Sequence, residues 1–391
     1  MRTALLSLLI ALVVLAIPGC SSDTTGNSEI PVTKDFGRML GLVPYSVLKE
    51  DDVWFINFGL AKEIHGVEDV TSIQDARDLP DERRKALSDA IEETGGLFPA
   101  WKSQEELLSL IGFDGLTYER IINIGIIPPR NYSILEGNFD EELITSKLTE
   151  QGYSRTEYGS YSYYGTGDDY KINLQSPLGR LVMGSMNQMA VFDDTIIISP
   201  ATVYVTGILD AMAGDTPSVI DNTACRALAD SLGDVITAVV TIPSRIVQIV
   251  PPENITGDVG FDFAIPDDWG TLHKYDMAAL GYRAEGDKRF LEIALYYDDT
   301  GSAEADGAEI VKRMEGYILG TFLENMENIP FTEMYLPGEP EVNEYADGAV
   351  LIVACQVISE GRFGTSFHMG GVGGGIRDML ILASDPSVYV K

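Results

Sequence analysis

The sequence has few of the residues from which metal and redox sites are built. Its 391 residues include only three cysteines and three histidines. No two cysteines have the CxxC spacing, so zinc ribbons and thioredoxin-type sites lack their ligands. His65, His273 and His368 are far apart in the sequence, and no H-E-x-x-H motif occurs. No local pattern therefore indicates a metal ion.

Basic residues are also scarce. The chain has 27 Lys and Arg against 60 Asp and Glu, which gives a net charge of −33. Phosphate backbones are bound by clustered Lys and Arg, so this balance excludes a nucleic-acid partner. An acidic, well-solvated surface is the simplest consequence of such a charge.

Known catalytic motifs are missing as well. Gly184-Ser185-Met186 lacks the closing glycine of a G-x-S-x-G nucleophile turn. Ser46 and Lys49 match S-x-x-K, but the companion S-D-N and K-T-G motifs do not occur. The glycine-rich segment 369–378 cannot be fitted to G-x-G-x-x-G before a helix. No cofactor is expected from these patterns.

The chain has no apolar run long enough to span a membrane. The longest run, Ala4 to Ile17, is shorter than the ~20 residues that a spanning helix needs. It follows Arg2, and a positive residue before a short apolar core is typical of a signal peptide. We therefore predict that residues 1–19 are a cleaved signal peptide.

The end of this run is Ile17-Pro18-Gly19-Cys20. It resembles the lipobox of bacterial lipoprotein signal peptides. The resemblance implies cleavage between Gly19 and Cys20, a covalent lipid such as palmitate on Cys20, and a location on the cell membrane facing outside the cytoplasm. Residues 20–35 would then be the lipidated cysteine and a flexible tether. An ordinary secretory signal, or an uncleaved anchor with a chance cysteine, is the alternative.

The rest of the chain repeats a short strand, a turn and an amphipathic helix. The clearest units are 52–66, 132–153, 195–215 and 291–317. Hairpin patterns lie between them, which predicts an α+β fold with an antiparallel or mixed sheet and helices on one face. We expect Asn138 and Ser199 to cap two of the helices. "EQGY" and "MEGY" end two of the units and suggest two related halves.

Domain boundaries follow from breaks in this pattern. The Pro-rich segment 242–257 separates a first α+β domain, 36–250, from a second, 270–391. Helical periodicity over 78–127 predicts a helical insertion in the first domain. "GNFDEELITSKLTEQGY" and "YSYYG" resemble uncharacterised exported bacterial proteins over residues 36–245, which implies no particular activity.

Two groups of residues are candidate sites in the body. Five tyrosines crowd one predicted hairpin and offer flat contact area for a protein, peptide or glycan, with cross-strand packing, which strands favour, as the alternative: Tyr158, Tyr161, Tyr163, Tyr164 and Tyr170. Cys225 opens a predicted helix and Cys355 lies in an apolar strand. Two buried free thiols or one Cys225–Cys355 disulfide both fit an exported protein.

The function that these observations favour is a lipid-anchored extracytoplasmic protein that binds a ligand without catalysis or is a component of the envelope. Two alternatives stay open. One is a surface-anchored hydrolase whose site forms only on folding, and the other is a carrier of a small apolar ligand, which needs an apolar cavity of at least about 300 Å³.

Overall fold

The computed structural model describes residues 34–96, 103–125, 131–243, 270–319 and 329–358. The predicted signal peptide and Cys20, most of the tether and of the Pro-rich segment, and the glycine-rich segment lie outside these residues. Described residues from Thr33 onward belong to one compact unit. In the part of the chain that is described, no helix has the length and apolar character needed to cross a membrane.

Helices and strands are interspersed through the described residues. The helices are α1 (Asp35–Leu40), α2 (Phe58–Ile64), α3 (Ile73–Arg77), α4 (Asp81–Glu93), α5 (Gln104–Ile111), α6 (Glu141–Glu150), α7 (Pro177–Val182), α8 (Thr202–Ala213), α9 (Thr223–Leu232), α10 (Thr300–Gly316) and α11 (Phe331–Met334). The strands are β1 (Val53–Asn57), β2 (Tyr118–Ile124), β3 (Tyr132–Gly137), β4 (Ser154–Tyr158), β5 (Tyr161–Gly165), β6 (Gln188–Val191), β7 (Thr195–Ser199), β8 (Thr237–Thr241), β9 (Met277–Glu285), β10 (Lys288–Tyr297), β11 (Ile318–Leu319), β12 (Ile329–Pro330), β13 (Tyr335–Pro337), β14 (Glu341–Tyr345) and β15 (Gly348–Val357).

One 13-stranded sheet forms the centre of the protein. Its order is β13-β15-β10-β9-β8-β1-β2-β3-β7-β6-β5-β4, and β14 pairs with β15 beside β13. Every pairing between these strands is antiparallel. The predicted α+β class, with an antiparallel sheet flanked by helices, is therefore confirmed.

Helices cover both faces of this sheet, so the expectation of helices on one face is wrong. On the first face, Ile293 of β10 packs in one core cluster with Ile310 of α10, Ile144 of α6 and Phe58 of α2. On the second face lie α1, α8 and α9, which contact β1, β7 and β10. The cause is visible in strands such as β7 and β8, whose residues are buried without alternation because both of their faces meet a core.

The predicted strand–helix units form, but two of the predicted caps are wrong. Asp140, and not Asn138, caps α6, since its side chain accepts a hydrogen bond from the backbone N–H of Leu143. Ser199 does not cap α8. Its hydroxyl donates to the carbonyl of Ala201, and helix α8 begins only at Thr202. Short polar side chains also stabilise turns, and Ser199 forms its hydrogen bonds within the turn before α8 instead of capping the helix.

The predicted helical insertion is helical only in its first part. Helices α4 and α5 form as expected, but the last residues of 78–127 are strand β2, which lies between β1 and β3 near the middle of the sheet. The predicted boundary between the domains also falls beside paired strands. Val239 of β8 pairs with Leu280 of β9, so one sheet includes chain from before and after the Pro-rich segment. Independent folding of the two halves stays a prediction.

A buried ion pair on the second face of the sheet is expected to make the stability of the protein depend on pH. Glu292 of β10 is almost fully buried, and its Oε1 accepts a hydrogen bond from Nε of Arg283 at 2.6 Å. Burial raises the pKa of Glu292 above its usual 4.5, and the pairing with Arg283 offsets only part of that rise. The folded state therefore binds the proton of Glu292 more tightly than the unfolded state does. Protonation of Glu292 stabilises the folded state at low pH, and this stabilisation is lost as the pH rises through the pKa that Glu292 has in the folded state.

We expect the variant Glu292→Gln to lack this pH dependence. The difference in the free energy of unfolding, wild type minus variant, should increase as the pH is lowered from about 7 to about 5. Urea unfolding at several pH values measures it. The matched control is Glu285→Gln, since Glu285 pairs with the same Arg283 but is 69% exposed. A difference for Glu292→Gln that is the same at every pH would contradict the prediction.

Candidate functional site

A long connection between two neighbouring strands is the most unusual feature of the described chain. Strands β5 and β6 pair antiparallel through Tyr164 and Met189, and residues 166–187 join them. A hairpin needs only about 2–5 connecting residues, so this connection is about twenty residues where a tight turn would suffice. Such loops are usually functional. We call it the 166–187 loop.

One buried asparagine holds the base of the 166–187 loop. The side-chain amide of Asn187 donates to the carbonyl of Lys171 at 2.9 Å, with longer contacts to those of Asp168 at 3.3 Å and Pro200 at 3.5 Å. The backbone N–H of Tyr170 also donates to Pro200, at 2.8 Å. The backbone at the start of the loop is therefore tied to the sheet through a side chain that is almost fully buried.

Asp169 connects the same loop to α8. Its Oδ1 accepts hydrogen bonds from the backbone N–H of Thr202 at 2.8 Å, from the Thr202 hydroxyl at 2.9 Å and from Nε2 of Gln188 at 3.1 Å. Ala201, at the N-cap position of α8, has no side-chain atom that can accept a hydrogen bond from the helix. Asp169 therefore supplies the cap of α8 from a distant part of the chain, and a negative charge there is favourable.

The second half of the loop is the short helix α7. Ser176 caps it by accepting a hydrogen bond from the backbone N–H of Gly179, and Leu178 and Val182 pack into the core of the first face. Position 179 requires glycine, since a Cβ there would lie 2.0 Å from the carbonyl oxygen of Asn173. Both ends of the loop are thus fixed by specific contacts.

Between these fixed ends the loop exposes apolar side chains. Tyr170, Ile172, Leu174 and Met183 are between 44% and 56% exposed, and we call these four residues the apolar tip. Ile172 lies against the chain next to Met183. A Cβ placed on Gly184, the residue after Met183, would be 3.3 Å from Cγ1 of Ile172. Val203, at the start of α8, is a further exposed apolar residue near Thr202. Apolar residues scattered singly are ordinary on a surface, whereas several on one loop make that loop a candidate contact site.

The backbone at the apolar tip is strained at both ends. Tyr170 has a φ of 59° and Met183 a φ of 52°, and they are the only non-glycine residues with positive φ in the described chain. A side chain in this left-handed region costs of order 1 kcal/mol, and such residues concentrate at functional sites. Here both strained residues belong to the exposed apolar group.

A cavity of about 280 Å³ lies beneath the tip. Its walls include Thr166, Asp168, Lys171, Asn173 and Ser176 of the loop, together with Tyr153 from before β4. Polar side chains predominate among these residues, and Lys171 is paired with Asp168 at 2.6 Å. This lining suits a small polar group and does not favour the apolar ligand of the carrier alternative.

The five tyrosines of the predicted binding patch do not lie on one common surface. Tyr158 and Tyr161 are cross-strand partners on β4 and β5, and the hydroxyl of Tyr158 donates to Asp210 of α8, which raises the pKa of Tyr158. Tyr164 packs against the core of the first face, while Tyr163 is half-buried on β5. Only Tyr170 belongs to the apolar tip, where its ring contacts Tyr204 edge to face. Recognition by the whole set stays a prediction.

Cys225 and Cys355 both have free thiols, so of the two expected states, free thiols or a disulfide, the structure has the first. Sγ of Cys225 lies 2.9 Å from Sδ of Met277, and Sγ of Cys355 lies 3.7 Å from Sδ of Met314. Cys355 belongs to the core of the first face, whereas Cys225 is on α9, against the second face. A disulfide needs Cα atoms within about 7 Å, and here the sheet separates the two residues. Burial raises the pKa of both thiols, that of Cys355 to about 12.

Two histidines form pairs with buried carboxylates that the sequence did not reveal, and in the first of them Nε2 of His65 lies 2.6 Å from Oε2 of Glu93. In the second, Nδ1 of His273 lies 2.7 Å from Oδ1 of Asp306, which is buried on α10 and also accepts hydrogen bonds from the His273 backbone N–H and the Tyr297 hydroxyl. This arrangement fixes the ring of a half-exposed histidine. Its hydrogen bonds in the described structure go to Asp306, and no group of three His, Cys, Asp or Glu side chains there is suited to a metal ion.

Comparisons with known proteins assign no family to the chain. No protein-family model matches it, and no curated protein does. Among solved structures, crystal form III of TP0453 aligns over 81% of this chain and 94% of its own, with 9% identity and a TM-score of 0.33. Crystal form I of TP0453 aligns over 86% and 97%, with the same identity and TM-score. A similarity this low says nothing about function.

Proposed function

We propose that this protein is a lipid-anchored extracytoplasmic protein that acts by binding, without a catalytic step. The observation that carries the proposal is Gly19-Cys20 directly after a short apolar run that begins two residues beyond Arg2. A signal peptide needs such a run, and a lipid attachment site needs the small residue and the cysteine. Two or three acyl chains hold a protein stably on a membrane, whereas one does so only marginally.

The 166–187 loop supports the binding part of the proposal. Its base is held by hydrogen bonds of Asn187 and Asp169, which limit the conformations open to the apolar tip. A contact surface that is ordered before binding loses less conformational entropy when it binds. The polar cavity beneath the tip adds hydrogen-bonding groups next to the apolar ones, as ligand-contact surfaces commonly have.

The variant Cys20→Ala tests the anchor. We expect the variant to carry no acyl mass and to shift from the membrane fraction to the soluble fraction, because the thiol is the only acyl attachment point that the proposal allows. Intact-mass spectrometry and cell fractionation measure the two effects. Ser21→Ala is the matched control and should leave both unchanged. Acyl mass or unchanged membrane partition in Cys20→Ala would refute the anchor.

A further inference from the structure

The apolar tip belongs to the longest stretch of the body sequence that has no acidic residue. The chain has 60 acidic residues, yet none occurs between Asp169 and Asp193. The same stretch contains Lys171 and Arg180, both exposed. Anionic lipid repels an acidic protein surface. The stretch between Asp169 and Asp193 is therefore repelled less by a membrane surface than the acidic stretches of the body are.

We infer that the occupant of the apolar tip is the lipid bilayer, with Ile172, Leu174 and Met183 entering the interfacial region. The inference deepens the proposed function, since it rests on the anchor to keep the body near the membrane. Acyl chains on Cys20 would supply most of the affinity, and the tip would fix the orientation of the body. A few inserted side chains bind a membrane only weakly alone.

The side chains at the tip suit this occupant. Tyr170 has an amphipathic ring, and tyrosine is enriched at the boundary between headgroups and acyl chains. Arg180 and Lys171 are close to the apolar residues in the sequence, and long cationic side chains reach phosphate groups while their stems remain in apolar surroundings. Lys171 pairs with Asp168 at the surface, so Arg180 is the main cation of this group. Basic residues beside apolar ones are typical of an interfacial membrane contact.

Part of the backbone around the tip already has hydrogen-bond partners within the protein. Buried backbone groups without partners are expensive in lipid. Here the N–H of Tyr170 donates to Pro200, that of Gln175 to Oδ1 of Asn173, and that of Ser176 to the carbonyl of Asn173. Insertion of the side chains therefore does not strip these groups of their hydrogen bonds.

A fluorescent label on the tip tests the inference in the complete acylated protein. In Leu174→Cys the new thiol is the reactive one, because acylation blocks Cys20 and burial raises the pKa of both Cys225 and Cys355. With vesicles of phosphatidylcholine and phosphatidylglycerol, an environment-sensitive dye at 174 should shift to the blue and be quenched by brominated acyl chains. Leu336→Cys is the control, since Leu336 is 57% exposed on β13, at the opposite edge of the sheet.

A second arm separates the tip from the anchor. In the Cys20→Ala chain, Ile172→Ser with Leu174→Ser should weaken vesicle binding about tenfold or more, whereas Leu336→Ser with Ile358→Ser should not. A blue shift at 174 in this chain supports the tip even if Cys20 is not acylated. Acylated, vesicle-bound protein in which labels at 174 and 336 behave alike would overturn the inference and leave the anchor intact. A shift at 174 that needs no vesicles and rises with protein concentration would indicate a second copy and would also overturn it.

Discussion

Replacing Tyr297 with alanine is expected to lower the free energy of unfolding by about 3–5 kcal/mol, the range for removing a large buried aromatic side chain. Tyr297 is fully buried on β10, and its ring meets that of Tyr275 edge to face. Its hydroxyl donates to Oδ2 of Asp306 at 2.9 Å, so the alanine variant also removes a partner from a buried carboxylate. A loss of this size is a large part of the stability of an ordinary domain.

The variant Tyr297→Phe separates these two contributions. It keeps the ring and removes only the hydroxyl, so it should cost about 1–3 kcal/mol. Urea unfolding of the two variants beside the wild type gives both values. Equal losses for alanine and phenylalanine would mean that the contact with Asp306, and not the packing of the ring, accounts for the effect. A negligible loss for alanine would contradict the packing of α10 against β10.

The second large effect is expected at Asn187. In Asn187→Leu the carbonyls of Asp168, Lys171 and Pro200 lose a common donor. We expect local opening of the 166–187 loop to become easier by about 2–3 kcal/mol, since the carbonyls of Asp168 and Lys171 lose the buried side-chain donor that holds them, while that of Pro200 keeps the N–H of Tyr170. Trypsin cleavage after Lys171 and Arg180 should then be roughly 30- to 150-fold faster, because proteolysis follows the population of the open form.

Two controls accompany this measurement. Asn173→Ala changes an exposed amide of the same loop and should leave cleavage nearly unchanged, because its side chain is bonded only locally, to Gln175. Cleavage after Lys288, in the β9–β10 hairpin, should be the same in all variants and reports on global unfolding. If Asn187→Leu is cut after Lys171 no faster than the wild type, the loop is not held by this amide.

Much of the architecture follows from local signals in the sequence. The strand–helix units and the hairpins at Asp193-Asp194 and Gly286-Asp287 form where alternation and turn residues predict them. The caps were harder to predict, because Asn138 and Asp140 are both good cap residues and only the packing of α6 selects between them. For α8 the sequence could not identify the cap at all, since Asp169 lies 33 residues before Thr202.

The candidate site was missed for a similar reason. Ile172 and Leu174 alternate with Lys171 and Asn173, which in sequence is the pattern of a half-buried strand. Their exposure depends on contacts of Asn187 and Asp169 that no local pattern encodes. One signal was available, namely the absence of acidic residues from Asp169 to Asp193 in so acidic a chain. The pairing of His273 with Asp306 is equally non-local.

The position of β1 has a consequence for how the chain reaches its native state. This strand pairs on one side with β2 and on the other with β8, so Val53 meets Ile124 and Val240. Contacts so distant in sequence make folding slow, and β1 stays incomplete on one edge until the chain is present as far as residue 240. For a protein proposed to leave the cytoplasm this delay is useful. If the chain is exported as proposed, it would cross the membrane unfolded and form its sheet on the far side.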